Sequence, residues 1–293
     1  MLNVFGAYAL WGLFPLYFPL LRPAAPVEIL AHRFLWTFVL MAVLVAVTGT
    51  WRELRAASAR TWATLFAASA FIAVNWGVYV YTVNTGHVAE AALGYFINPL
   101  VSVVLGVIFL RERLNRPLAA AVGLAVVAVA VMTADLGRPP VLGLALAFSF
   151  GCYGLLKKRV RLSSAASLTA ESMIMTPLAA GYLLWLAGTG ASTFTAHGPG
   201  HALLLLSAGV ATGVPLLLFG RGAKQVPLIT VGMLQYLTPM IQMLIAVFVR
   251  HEEISAGRWV GFGIIWVAVA ISIADGLVRI RARRRTRAAL DRG

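Results

Sequence analysis

Charged side chains are scarce in this sequence. They make up 12% of its 293 residues, whereas 60% are hydrophobic; a typical soluble domain has roughly 25% charged residues. The mean hydropathy is +0.86. A soluble fold could not cover so much apolar surface, so the composition excludes a soluble globular protein and predicts an integral membrane protein.

Cysteine is almost absent as well. Cys152 is the only one in the chain, so no intrachain disulfide can form. It falls within an apolar stretch, and we interpret it as a small buried side chain.

Motifs of enzymes and of ATP-driven pumps are missing. The segment His251 to Ser255 begins like the zinc motif H-E-x-x-H, but Ser255 stands where the second histidine is needed. The sequence has neither a Walker motif nor a G-x-S-x-G nucleophile elbow. We therefore expect no catalytic residue, no metal site and no cofactor. A membrane-embedded enzyme and a sensor without flux are the less favoured alternatives.

Ten apolar stretches are long enough to cross a bilayer core as helices, which takes about 20 residues. They are 2–21, 27–48, 62–83, 90–110, 118–136, 141–157, 168–187, 201–219, 228–249 and 258–278. The first lacks the charged flank and the cleavage pattern of a signal peptide, so we interpret it as a retained helix. The sequence thus predicts an all-α integral membrane protein with ten transmembrane helices.

The second half of the chain repeats part of the first at a fixed offset of 140 residues. The informative identities are Pro99 with Pro239, Glu112 with Glu252, Gly123 with Gly263, and Asp135 with Asp275. If each repeat holds five helices, an odd number, the second copy must enter the membrane upside down. We predict two inverted five-helix repeats, 1–139 and 140–278, and a basic cytoplasmic tail, 279–293. Inverted repeats are common in secondary transporters, whose substrate site lies near mid-membrane between the halves.

The basic residues are distributed unevenly between the predicted membrane faces. Of the 24 Lys and Arg residues, 19 fall in segments that are cytoplasmic if the N-terminus is inside. Lys157, Lys158 and Arg159 at the end of the sixth stretch belong to that set. The bias predicts that both termini are cytoplasmic. We expect the tail to contact anionic lipid headgroups rather than nucleic acid.

Very few ionisable groups fall inside the predicted spans, and each is a functional candidate because a charge in the bilayer is costly. Glu28 and His32 share one helical face beside Arg33. The cluster could anchor the helix end, or it could form the mouth of a substrate pathway, where Arg33 would attract a carboxylate or phosphate. Glu90 and Glu171 could stabilise helix N-termini. Alternatively, Glu28, His32, Glu90 or Glu171 could carry a coupling proton, and Glu28 and His32 rank first because they share a face beside Arg33.

Two prolines and a set of rings and amides indicate a pocket between the halves. Pro99 and Pro239 occupy equivalent places and are expected to kink their helices. The predicted pathway residues are Tyr8, Trp11, His32, Arg33, Asn75, Trp76, Tyr79, Tyr95, Asn98, Tyr153, Gln235 and Tyr236. For any single aromatic residue, ordinary helix packing is the competing interpretation.

The segment Glu90-Ala-Ala-Leu-Gly-Tyr-Phe-Ile-Asn-Pro-Leu100 resembles the EamA group of the drug/metabolite transporter superfamily. The segments Glu28-Ile-Leu-Ala-His-Arg33, Phe148-Ser-Phe, Tyr153-Gly-Leu155 and Gln235-Tyr236 with Pro239 extend the resemblance over nearly the whole chain. It implies ten helices in two inverted repeats, a bacterial inner-membrane location, and small-molecule transport without ATP. The branch that it resembles carries a chloramphenicol-sensitivity label, which does not settle a physiological substrate.

These observations favour a secondary transporter, in particular an exporter of an amphipathic metabolite or drug that could be coupled to protons. A facilitated-diffusion carrier is the main alternative. The expected partners are the lipid bilayer and a small-molecule substrate, and the sequence leaves a monomer and a dimer equally open.

Overall fold

The structure is a computed structural model that describes residues 1–85, 88–137, 139–249, 251 and 256–290. Within these residues the chain is helical and contains no strand. The helices are α1 (Leu2–Gly12), α2 (Phe14–Tyr17), a 3-10 turn (Phe18–Leu21), α3 (Pro26–Thr48), α4 (Trp51–Arg55), α5 (Ala59–Asn84), α6 (Val88–Leu110), α7 (Arg116–Leu136), α8 (Val141–Arg159), α9 (Ser164–Gly188), α10 (Thr193–Ala196), α11 (Gly198–Gln225), α12 (Leu228–Gln235), α13 (Leu237–Phe248) and α14 (Ala256–Leu290).

Eight helical segments among the described residues are long and apolar enough to cross a membrane. Two of them are composite, since Leu2–Leu21 joins α1, α2 and the 3-10 turn, and Leu228–Phe248 joins α12 and α13. The predicted seventh and tenth spans correspond to α9, which is 25 residues long, and to the shorter apolar part of α14, Trp259–Asp275. The all-helical membrane class is therefore confirmed, whereas the count of ten spans stays a prediction.

The two equivalent prolines have different effects on their helices. Pro99 lies inside the uninterrupted helix α6. Pro239 lies in the first turn of α13, directly after the break that separates α12 from α13 at Tyr236. A proline ring clashes with the carbonyl group four residues earlier, here that of Gln235, which is the last residue of α12.

Three pairs of helices that the predicted repeat makes equivalent pack against each other. They are α3 with α9, α6 with α12, and α7 with α14. In addition, α5 packs on α8 and α11 packs on α1. At the α6–α12 interface, the Tyr236 hydroxyl donates a 3.0 Å hydrogen bond to the carbonyl oxygen of Phe96, the residue 140 positions earlier.

Small residues bring α11 against α3, where Arg33 is located. The main chain of α11 at Gly209 lies directly against Trp36. A Cβ atom at position 209 would lie 2.5 Å from the Trp36 carbonyl carbon, so a larger residue would clash there. The Thr37 hydroxyl donates a 3.3 Å hydrogen bond to the Gly209 carbonyl oxygen. The G-x-x-x-G segment Gly209 to Gly213 thus allows the two helices to approach closely.

Candidate functional site

Arg33 holds its guanidinium group against three aromatic rings. Its Cζ atom lies 4.1 Å from the ring centroid of Trp76 and 5.5 and 5.7 Å from those of Phe18 and Phe14. Its Nε donates a 2.9 Å hydrogen bond to the hydroxyl oxygen of Thr212 on α11. Among the described residues no carboxylate forms an ion pair with Arg33. The terminal nitrogens of this positioned, partly exposed cation can therefore take an external anion.

Tyr79 and Tyr95 stand next to this cation. Their rings make an edge-to-face contact with a centroid separation of 6.0 Å, and both interact electrostatically with Arg33. The guanidinium thus lies in an aromatic environment in which the rings of Trp76, Phe18 and Phe14 contact it directly.

A small cavity connects the surroundings of Arg33 to a carboxylate. Thr212 and Trp76, both in contact with Arg33, line one part of its wall, and Glu171 and Tyr153 line another. The other lining residues are Phe34, Thr37, Ile72, Leu168, Ser172 and Leu216. The cavity has a volume of about 20 Å³, room for about one water molecule, so a substrate can enter it only if the surrounding helices move apart.

Glu171 is buried and accepts hydrogen bonds at both carboxylate oxygens. Its Oε1 receives Lys157 Nζ at 2.7 Å and the Ser167 hydroxyl at 2.8 Å, and its Oε2 receives the Tyr153 hydroxyl at 3.1 Å. Lys157 is 0% exposed and also donates to the Ser167 oxygen at 2.8 Å. The ion pair is thus enclosed by protein, where a lost partner is far more costly than at a surface.

Lys157, which belongs to the basic set predicted to be cytoplasmic, is buried inside the protein. It lies in the last turn of α8 with Lys158 and Arg159, where the sequence shows only a basic run. Lys158 pairs with Glu112 at 2.7 Å and is 20% exposed. The sequence gives one weak signal, because Tyr153 and Lys157 are four residues apart and so share a helical face.

His32 is buried against the short helix α10. Its ring stacks on Phe194 with a centroid distance of 5.0 Å. Trp36 Nε1 donates a 3.0 Å hydrogen bond to His32 Nδ1. Since an indole N–H can only donate, Nδ1 is the acceptor and the proton of the neutral ring is on Nε2. Nε2 has no partner among the described residues.

Glu28 binds the connector between α9 and α11. Its Oε1 accepts from the Thr193 main-chain N–H at 2.8 Å and from the Ser192 hydroxyl at 3.4 Å, and its Oε2 accepts from the Thr193 hydroxyl at 3.0 Å. The Thr193 hydroxyl oxygen also lies 3.0 Å from His201 Nε2. These contacts occupy the Glu28 carboxylate, and in the described structure none of them involves His32.

Glu90 and two further glutamates bind helix N-termini of the second half. Glu90 Oε1 accepts from the main-chain N–H of Leu142 at 2.6 Å, in the first turn of α8. Glu53 receives the N–H of Ser163 at 2.6 Å, and Glu112 receives those of Leu228 and Ile229 at 2.8 and 2.9 Å. Carboxylates stabilise helix N-termini through unpaired N–H groups and the helix dipole.

The other predicted pathway residues fall into three groups. Asn75 and Tyr236 form hydrogen bonds between helices. Asn75 Nδ2 donates to the carbonyl oxygen of Leu146 at 2.8 Å, and the Tyr236 hydroxyl donates to that of Phe96. Trp11 belongs to an aromatic cluster whose other members are Tyr8, Phe150, Tyr153 and Phe219. Tyr8, Asn98 and Gln235 are buried, with side-chain oxygens that have no partner among the described residues: the Tyr8 hydroxyl, Asn98 Oδ1 and Gln235 Oε1.

Two predictions concern residues outside the described structure. Asp135 and Asp275 end equivalent predicted spans, and the sequence predicts that they pair with Arg138 and Arg279, whose side chains lie outside the described residues. Asp275 Oδ1 accepts a 2.6 Å hydrogen bond from Asn115 Nδ2. Glu252, the counterpart of Glu112 in the repeat, also lies outside the described residues. In the part of the chain that is described, no three His, Cys, Asp or Glu side chains are grouped as metal ligands.

Comparison with known proteins places this chain in a family. The model of the EamA-like transporter family matches residues 1–134 and again 139–274. The chain belongs to the EamA-like transporter family. It is 48% identical to Protein RarD of Streptomyces exfoliatus over 99% of this chain and 92% of that protein. It is 45% identical to the uncharacterized transporter YojE of Bacillus subtilis over 90% of both chains.

The fold of this EamA-like chain is also found in a solved structure. A crystal structure with 18% sequence identity superposes with a TM-score of 0.72, covering 92% of this chain and 95% of the other. At that identity the likeness establishes the fold alone. The resemblance found in the sequence is confirmed, and the protein is a multi-pass membrane protein of a transporter family.

Proposed function

We propose that the protein is a secondary transporter of the bacterial inner membrane that exports a small amphipathic molecule with an anionic group. The observation that carries this proposal is the guanidinium group of Arg33. It is positioned by Thr212 and Trp76, has no carboxylate partner among the described residues, and adjoins an apolar cavity. A cation left without an internal counter-ion inside a membrane protein is costly, so its retention favours a role in binding an anion.

The family and the pattern of helix packing support a transport mechanism without an enzymatic step. In this proposal the two halves are inverted repeats with five spans each, so α9 and α14 also cross the membrane and both termini are cytoplasmic. The packing of counterpart helices, such as α3 on α9 and α6 on α12, is the arrangement that a twofold relation between halves produces. Movement of one half against the other would then open the cavity alternately to each side.

Exchange experiments in vesicles test the proposed anion site. Purified protein is reconstituted, and counterflow of two aromatic anions, 4-hydroxyphenylacetate and 4-methylbenzenesulfonate, is measured. For Arg33→Ala we expect a rise of about tenfold or more in the half-saturation concentration, because a hydrogen bond to a charged group contributes about 1.5–3 kcal/mol. Arg33→Lys should recover only part of this loss, since an ammonium group cannot bind an anion with a planar pair of N–H groups.

Arg60→Ala is the matched control, because Arg60 is an exposed arginine at the start of α5 and contacts no part of the cavity. Its half-saturation concentration should equal that of the wild type. Equal values for Arg33→Ala and Arg60→Ala, with both proteins folded, would reduce Arg33 to a structural residue. A comparison of metabolites in cells with and without the protein then identifies the natural substrate.

A further inference from the structure

The Lys157–Glu171 pair forms a complete binding arrangement for a carboxylate. One oxygen of Glu171 is held by an ammonium and a hydroxyl, and the other by the phenol of Tyr153. These donors come from two elements, Lys157 and Tyr153 on α8 and Ser167 on α9. Any anionic group that reached this place would need the same donors, because ammonium and hydroxyl groups are what a buried carboxylate requires.

The pair and Arg33 lie on opposite sides of the mid-membrane plane in the proposed topology. Arg33 and Glu171 are equally far along α3 and α9, which begin at Pro26 and Ser164 on opposite membrane faces and pack on each other. Each lies roughly 10 Å along its helix axis from the first residue. Glu171 lines the same cavity as Trp76 and Thr212, the contacts of Arg33. A substrate that reaches this cavity would meet two cationic groups: Arg33, which pairs with no carboxylate among the described residues, and Lys157, which Glu171 occupies.

We propose that Glu171 holds the place of the substrate's anionic group at Lys157 and that the two exchange during transport. This inference rests on the proposed function, since it requires an anionic substrate. When the substrate displaces Glu171 from Lys157 Nζ, one proton from water binds a Glu171 oxygen, and this O–H is the only covalent bond that forms. A buried carboxylate that has lost its cation is strongly disfavoured, so it becomes the neutral acid. Lys157 remains an ammonium throughout.

The consequence is that one proton travels with each monovalent anion and that no net charge crosses the membrane. An anion concentrated in the cytoplasm then leaves together with a proton. Transport responds to a pH gradient and is insensitive to the membrane potential.

Other charged groups near Glu171 modulate this exchange without replacing it. Lys157 and Tyr153 face it from α8 and Lys224 interacts with it from α11, while Glu53 of α4 interacts with Lys224 and Arg33 of α3 lies beyond the cavity. From α5, the Ser69 hydroxyl donates to the Glu171 main-chain carbonyl oxygen at 3.4 Å. Lys224 donates to the carbonyl oxygen of Leu162 and Glu53 accepts from Ser163, so both have partners of their own.

The test uses 4-methylbenzenesulfonate, which stays anionic at every relevant pH, so any coupled proton must be carried by the protein. Its equilibrium distribution is measured in vesicles under a potassium–valinomycin potential of about 100 mV, with and without a pH gradient. The wild type should distribute the probe according to the pH gradient alone. Glu171→Gln keeps side-chain polarity but cannot bind the proton. With this variant the probe should show no response to the pH gradient, and the potential should produce a concentration ratio of about 50 across the membrane.

Two further variants separate this exchange from a loss of folding. Glu112→Gln removes the carboxylate from the Lys158–Glu112 pair. That pair has the same 2.7 Å N···O distance as the Lys157–Glu171 pair, but neither of its residues lines the cavity. This variant should therefore behave as the wild type. Lys157→Gln combined with Glu171→Gln removes both charges of this pair and should also give potential-driven distribution with weaker probe binding. A wild-type distribution that follows the potential, or a Glu171→Gln distribution that still follows pH, would overturn the exchange. Loss of saturable flux in the wild type itself would instead reject the proposed anion transporter.

Discussion

At the scale of single residues, the carboxylates in or near the membrane differ in what they bind. Glu28, Glu90 and Glu112 accept main-chain N–H groups of the second half. Glu171 instead pairs with a buried lysine and lines the cavity. The first group ties helices together, whereas in our proposal Glu171 changes partner when a ligand enters. The geometry therefore ranks Glu171 above Glu28 and His32 for proton coupling.

The double variant Glu28→Gln with His32→Asn tests that ranking. We expect it to keep a normal response of flux to a pH gradient, because neither side chain contacts the Lys157–Glu171 pair in the described structure. We also expect about 1–3 kcal/mol lower stability, since a charge-assisted hydrogen bond to Thr193 is weakened. Thermal unfolding in detergent measures the stability, and vesicle flux measures the coupling. Exchange that persists without any pH response would return the coupling role to Glu28 or His32.

The sequence identifies Arg33 as a functional candidate, but it does not reveal that Lys157 is buried. A lone arginine within an apolar stretch stands out because of its cost in a bilayer. Lys157 stands in a basic run at a helix end, where the usual expectation is a solvated or lipid-facing charge. Its burial depends on how α9 packs beside α8, and no local pattern encodes that contact.

At the scale of helices, long apolar runs predict the main elements well, because a spanning helix needs about 20 apolar residues. The short connectors α4 and α10 were not predicted, since helices of five and four residues lie outside those runs. The different effects of Pro99 and Pro239 were not predicted either. Sequence equivalence gave both the same role, but only the second coincides with a helix break.

Close packing of α3 and α11 can be tested with a pair of identical substitutions. Gly209→Ala places a methyl group within 2.6 Å of three Trp36 atoms, whereas a methyl group at Gly123 meets nothing within 4 Å. Overpacking of this kind costs about 1–3 kcal/mol. We therefore expect Gly209→Ala to lower the unfolding temperature and to weaken anion exchange through Arg33 and Thr212. Gly123→Ala should unfold within a degree or two of the wild type or slightly above it. Equal unfolding temperatures would contradict the described contact.

At the scale of the whole molecule, the arrangement of the two halves predicts which loops face which side. Ser58 precedes α5 and Thr189 follows α9, and both are exposed. In a Cys152→Ala background, a cysteine at Ser58 should react with an impermeant reagent only from the cytoplasm, and one at Thr189 only from outside. Charge bias is the physical reason, because basic loops stay on the cytoplasmic face. Labelling of both positions from one side would contradict the inverted repeat and the ten spans.

The central claim is that this EamA-like protein moves a small molecule that it recognises by an anionic group. The most direct measurement is counterflow of a matched pair in vesicles of the wild-type protein, 4-methylbenzenesulfonate and its neutral sulfonamide. The account predicts saturable exchange of the sulfonate and at least about tenfold weaker exchange of the sulfonamide, because only the anion can form charge-assisted hydrogen bonds with the guanidinium group of Arg33. Equal exchange of the two compounds, or no exchange of the sulfonate, would contradict it.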